Sequence, residues 1–90
     1  MAEMAVAEIK NELGLHARAA AQFVQTANKF KAEVVVSKDG EEVNGKSILS
    51  LMMLAAPVGS EIVITTKGED ASELLHTLLK LIEHKFGEPK

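Results

Sequence analysis

Apolar positions along the chain follow two rhythms, a helical one near 3.6 residues and a strand-like alternation. From 17 to about 30, Ala20, Phe23, Val24, Ala27 and Phe30 share one face at helical spacing, which predicts a first amphipathic helix. Residues 33–37 and 41–44 are strand-like, and Asp39-Gly40 within the linking Lys38-Asp39-Gly40 is a strong hairpin signal. Residues 48–56 form a short apolar stretch behind Ser47 and ahead of Pro57 and Gly59, which predicts a brief second helix. Residues 61–66 are β-branched and bounded by Gly59 and Gly68, as expected of a strand central in its sheet. Beyond them Ala71, Leu74, Leu75, Leu78, Ile82 and Phe86 draw a long apolar stripe. Asp70 with Glu73 reads as a capping box for this third helix, and Gly87 and Pro89 as its terminators. Residues 4–10 alternate weakly and read as an opening strand.

The resulting order, β-α-β-β-α-β-α, suits an α+β fold: an antiparallel sheet covered on one face by helices. Ninety residues, 47% of them apolar, suffice for one compact domain spanning 1–90 and leave little for a second. With no cysteine there is neither a disulfide framework nor a thiolate metal site, so packing must supply the stability, as suits a reducing cytoplasm. Glu3, Glu8 and Lys10 interrupt the apolar residues near the start, unlike a signal peptide, and no apolar run has the roughly 20 residues of a spanning helix. A net charge of −3, dispersed basic residues and the absence of Tyr and Trp argue against a nucleic-acid surface.

The sharpest local chemistry lies in Gly14-Leu15-His16-Ala17-Arg18, where loop turns into the first helix. Gly14 permits a tight entry, and Leu15 can pack back on the first turns. His16 then stands at the N-cap, among unpaired backbone N–H groups and the positive end of the helix dipole. That field favours a neutral ring with a free lone pair, the nucleophilic form, and the same donors suit a phosphoryl group. Arg18 adds a fixed charge within reach, and Ala17 leaves the approach to the backbone open. A surface histidine at a helix start beside a solvated arginine would have the same sequence.

Gly14-Leu-His-Ala-Arg18, followed in order by Phe23-Val-Gln-Thr-Ala27 and Asn44-Gly-Lys-Ser-Ile48, resembles the signature stretches of the HPr family of the sugar phosphotransferase system, across essentially the whole chain. The resemblance implies a two-layer open-faced sandwich, with a four-stranded antiparallel sheet and three helices on one face. It further implies a phosphocarrier, not an independent enzyme, that works without a cofactor. His16 would accept a phosphoryl group on Nδ1 from phosphorylated Enzyme I, whose donor is phosphoenolpyruvate, and deliver it to IIA domains. Arg18 and the backbone amides of Ala17 and Arg18 would hold the phosphate. One departure stands next to the motif: the family usually has proline after the arginine, and this chain has Ala19, which restores an N–H and loses rigidity, so altered transfer rates or partner preference are expected with unchanged chemistry.

Ser47 is first of all an N-cap. Ile48, Leu49, Leu51, Met52, Met53 and Leu54 behind it cannot all face one core, so an apolar patch suited to partners, or to a homodimer, is expected. By resemblance, Ile48, Leu49 and Met52 lie on the docking side, with Leu51 and Leu54 in the core. The position of Ser47 resembles the regulatory serine that HPr kinase/phosphorylase modifies in many members, which adds that enzyme and transcriptional regulators to the partners the resemblance implies. A phosphate there would bring nearly two negative charges to the rim of the patch. His76 and His84, eight residues apart, lack metal-site spacing, and no metal is expected. Two other readings stay open: a carrier in a nitrogen-linked or other regulatory relay, in which His16 would work identically, and a non-catalytic ligand-binding or docking module with no use for His16.

Overall fold

The computed structural model describes residues 2–90. Four strands, β1 (Ala2–Glu8), β2 (Glu33–Lys38), β3 (Glu41–Asn44) and β4 (Glu61–Lys67), form one antiparallel sheet in the order β1-β4-β2-β3. Three helices, α1 (Ala17–Ala27), α2 (Ile48–Met53) and α3 (Ala71–Glu83), complete the α+β sandwich. β4 is central, as its β-branched run predicts. Its inward residues Ile62, Ile64 and Thr66 are fully buried and lie opposite Ala7 of β1 and Val36 and Val34 of β2. Their alternate neighbours reach the open face, where Met4 and Val6 are exposed.

The helices close over this layer with the faces their periodicity marks: Ala19, Ala20, Phe23, Val24 and Ala27 from α1, and Ala71, Leu74, Leu75, Leu78 and Ile82 from α3. α3 packs on β1 and β4, while α1 packs against α2 and α3. Asp39-Gly40 makes the β2–β3 hairpin with φ of 52 and 84°, the pair of positive values a two-residue turn of matching twist requires.

The ends of the elements depart from the periodic reading for identifiable reasons. β1 lies two residues earlier than expected, although Ile9 still exchanges backbone hydrogen bonds with Ser60 and Gly59. α1 stops at Ala27, where the backbone tightens to bonds from Lys29 to Thr26 and from Phe30 to Ala27; Phe30 packs on the core from that turn. α2 ends at Met53 because Ala55 takes φ of 50°. The capping box at α3 is absent. Asp70 occupies the N-cap, but its carboxylate turns away from its own helix and accepts the backbone N–H groups of Lys31 and Ala32 at 3.0 and 2.8 Å.

The end of α3 differs most. The helix stops at Glu83, and one tight turn, Lys85–Gly87, follows with φ of 57, 57 and 77°. Phe86 is therefore not on the helical stripe, yet it is 2% exposed, inserted into the core from left-handed backbone. Two non-glycine residues in that region cost roughly 1–2 kcal/mol each, and burial of one phenylalanine offsets a comparable amount. The turn redirects the last residues, and Glu12 N–H donates to the Lys90 carbonyl at 2.8 Å, which docks the tail on the loop before α1.

Candidate functional site at the start of the first helix

The sequence pattern places His16 at the α1 N-cap, and the structure agrees: His16 is extended (φ −81°, ψ −178°), and its carbonyl accepts the first helical bond from Ala20 at 2.8 Å. The amides of Ala17, Arg18 and Ala19 precede that first bond and thus have no partner within the helix. The entry geometry depends on Gly14. Its φ is +71°, and a β-carbon there would lie 2.6 Å from the Ala56 carbonyl oxygen and 3.0 Å from Pro57 Cα. That approach lets the Leu15 N–H donate to Ala56 O at 2.9 Å, and Leu15 is buried as expected.

His16 does not cap its helix with its side chain. Instead Nε2 meets Oε2 of Glu88 at 2.5 Å. The other carboxylate oxygen, Oε1, accepts from Asn11 Nδ2 at 3.1 Å, and the same amide nitrogen donates to the Gly14 carbonyl at 2.7 Å. Asn11 is fully buried, and its Oδ1 has no hydrogen-bond partner. Glu88 is thus held from two sides with its side chain 13% exposed, against 28% for His16. Burial works to raise the Glu88 carboxyl, but hydrogen bonds from His16 and Asn11, with the charges of His16 and Arg18, outweigh it and hold the group below the ordinary carboxylate range.

This arrangement amends the expected electrostatics. The periodicity implies only the positive end of a helix around His16, whereas the folded chain adds a carboxylate on the opposite ring nitrogen. The helix amides and Glu88 thus divide the ring's surroundings between donors and an acceptor. Arg18 is exposed and lines, with Glu12, Leu13, His16, Glu88, Pro89 and Lys90, an open cleft of about 310 Å³. Ala17 is exposed too, while Ala19 is fully buried on the core side. Neither Glu88 nor Asn11 stands out in the sequence. Glu88 lies between two residues that read as helix terminators, and nothing local shows that a left-handed turn brings it back across 72 positions to His16.

On the other side of His16 a shallow depression is lined by Leu13, Leu15, Ala55, Ala56 and Pro57, at the end of α2. Ser47 Oγ accepts the Ser50 N–H at 3.2 Å, the N-cap expected. Ile48, Leu49, Met52 and Met53 are exposed, Leu49 by 70%, while Leu51 and Leu54 are buried. Leu51 and Leu54 thus lie in the core as expected, and Met53 joins Ile48, Leu49 and Met52 on the exposed side. His76 and His84 are exposed on α3 and its end. Among the described residues no group of three or more His, Asp or Glu is placed to hold a metal ion, and no helix is long and apolar enough to cross a membrane.

A family model described as the PTS HPr component phosphorylation site matches residues 5–84. The chain belongs to the HPr family. Among curated relatives, the phosphocarrier protein HPr of Neisseria meningitidis serogroup A is 54% identical over 81 residues, covering 90% of this chain and 91% of that one. The HPr-like protein Crh of Halalkalibacterium halodurans is 49% identical over 76 residues, covering 84% and 90%. The solved structure of HPr-C-His from Thermoanaerobacter tengcongensis superimposes with a TM-score of 0.94 at 45% identity, covering 98% of this chain and 99% of that one. The HPr fold and phosphocarrier family membership are therefore those of this chain, and His16 lies within the matched region.

Proposed function

We propose that this HPr-family chain accepts a phosphoryl group on His16 Nδ1 from phosphorylated Enzyme I and donates it to IIA domains, in sugar uptake or its regulation. The observation that carries this reading is the placement of His16. Its ring stands at the first turn of an 11-residue helix whose leading amides have no helical partner, and its Nε2 is already engaged by Glu88, so Nδ1 is the nitrogen left for chemistry. The amides of Ala17 and Arg18 and the exposed Arg18 guanidinium supply donors for the phosphate oxygens. The exposed residues Ile48, Leu49 and Met52 on α2 serve as the docking surface for both partners. Ser47, at the rim of that surface, is the site at which HPr kinase/phosphorylase, where present, would add a charge that weakens docking, and through which transcriptional regulators would be engaged.

Incubation with phosphoenolpyruvate and Enzyme I is expected to give an acid-labile adduct that His16→Ala abolishes. Absence of the adduct, with the same Enzyme I active on a control carrier, would remove the proposal. In parallel, HPr kinase with ATP is expected to give an acid-stable adduct lost in Ser47→Ala.

A further inference from the structure

We infer that Asn11 and Glu88 form a positioning pair for His16, fixing the ring in the Nε2–H form so that its lone pair stays on Nδ1. This inference deepens the proposed phosphoryl transfer and rests on it. Its basis is a directional chain of hydrogen bonds. Asn11, fully buried, has its Nδ2 anchored on the Gly14 carbonyl at 2.7 Å and presents the same group to Glu88 Oε1 at 3.1 Å. Glu88 Oε2 faces His16 Nε2 at 2.5 Å. A carboxylate only accepts, so the ring nitrogen facing it must carry the proton, and in a neutral imidazole the other nitrogen is then the nucleophile. A buried acid orienting a catalytic histidine does the same in serine hydrolases, with the roles of the two ring nitrogens exchanged. The tail is built for this contact: buried Phe86 anchors the left-handed turn, and the Glu12–Lys90 backbone bond fixes the residues beyond Glu88.

The transfer balances without a proton changing hands. The Nδ1 lone pair forms an N–P bond while the donor's bond to phosphorus breaks and its electron pair leaves with the donor. The ring keeps its Nε2 proton and becomes a phosphorylated imidazolium, whose positive charge lies against the Glu88 carboxylate. When the next acceptor attacks phosphorus, the N–P electrons return to Nδ1 and the neutral Nε2–H ring is restored. Glu88 therefore holds the same hydrogen bond throughout; of the other charged residues lining the cleft, the cations Arg18 and Lys90 suit the phosphate, whereas Glu12 carries the same sign of charge as the phosphate.

Asn11 makes the test directional. In Glu88→Gln the amide oxygen is drawn to the Asn11 donor, which turns the amide NH2 toward His16 Nε2 and selects the unreactive Nδ1–H form. In Glu88→Ala neither form is selected. Ring ¹⁵N spectra of the 90-residue chain near pH 9, where histidine rings are ordinarily neutral, are expected to show a pyridine-type Nδ1 in the unchanged protein. The Nδ1 signal should become pyrrole-type in Glu88→Gln and intermediate in Glu88→Ala. Single-turnover phosphorylation by Enzyme I is expected to slow about tenfold or more in Glu88→Gln and less in Glu88→Ala, with coincident thermal unfolding curves showing that both variants fold.

A pyridine-type Nδ1 retained in Glu88→Gln, or a Glu88→Ala variant slower than Glu88→Gln, would overturn the inference. The ring spectra need no partner. A chain that showed the expected tautomer shifts but took no phosphate would refute the proposed function and leave the positioning pair standing.

Discussion

Gly14 concentrates the cost of building this site into one residue. Its φ of +71° is in the region a β-carbon disfavours, and an added β-carbon would meet a backbone atom, Ala56 O, at 2.6 Å, so no flexible side chain can yield. Gly14→Ala is expected to destabilise the fold by about 2 kcal/mol or more, read as a lower urea midpoint with unchanged slope. Asp70 concentrates a different cost. Backbone N–H donation from Lys31, aided by Ala32 and the charge of Lys46, outweighs desolvation and lowers its carboxyl below the ordinary value. A group whose folded value is depressed stabilises above its unfolded value, and that contribution is lost as pH falls through the folded value. Asp70→Asn should therefore unfold at a lower urea concentration than the unchanged protein at neutral pH. The two should converge as the pH is taken below the carboxylate range; a constant difference would contradict this account.

At the scale of elements, the sequence resolves what is periodic and misses what is non-local. The faces of α1 and α3 are read correctly within the helices because burial follows the helical repeat, whereas Phe30 and Phe86 pack from the turns beyond them, and β4 is read as central because it is β-branched. Asp70 misleads because its partners, Lys31 and Ala32, are nearly 40 positions away and invisible to a local motif. Glu88 and Asn11 are missed for the same reason, while the place of His16 at the α1 N-cap is legible from its local setting. The turn that delivers Glu88 depends on Phe86, and Phe86→Ala is expected to cost about 3–5 kcal/mol in chemical denaturation, with the Glu88–His16 contact loosened along with the tail. Ala19 belongs to this scale too. It precedes the first helical hydrogen bond, from Ala20 to His16, so Ala19→Pro removes no bond from α1. It does remove an amide donor from the first turn. The variant is expected to keep the His16 adduct while its transfer rates change from partner to partner, and indistinguishable rates across all partners would show that the departure has no consequence.

At the scale of the whole molecule, the proposed function sets chemistry at His16 and recognition on α2 apart but adjacent. His16 lies between a cleft edged by the tail and a depression that ends at Ala55, Ala56 and Pro57, the residues that lead out of α2. A partner seated on the exposed residues of α2 would thus come up against the ring. This makes the docking surface testable independently of the fold. Leu49 is 70% exposed, whereas Leu51, two residues on, is fully buried. A charge at Leu49 disturbs little packing, and surface changes of that kind ordinarily move stability by no more than about 0.5 kcal/mol. The same charge at the centre of an apolar interface must be desolvated without a partner when the complex forms. Leu49→Glu is therefore expected to leave thermal unfolding unchanged and to slow transfer from Enzyme I about tenfold when the carrier is scarce. Raising the carrier concentration should restore the rate, because the ring and its positioning pair are untouched. A loss that persists at saturating carrier would place Leu49 in the chemistry of the site instead of in its recognition.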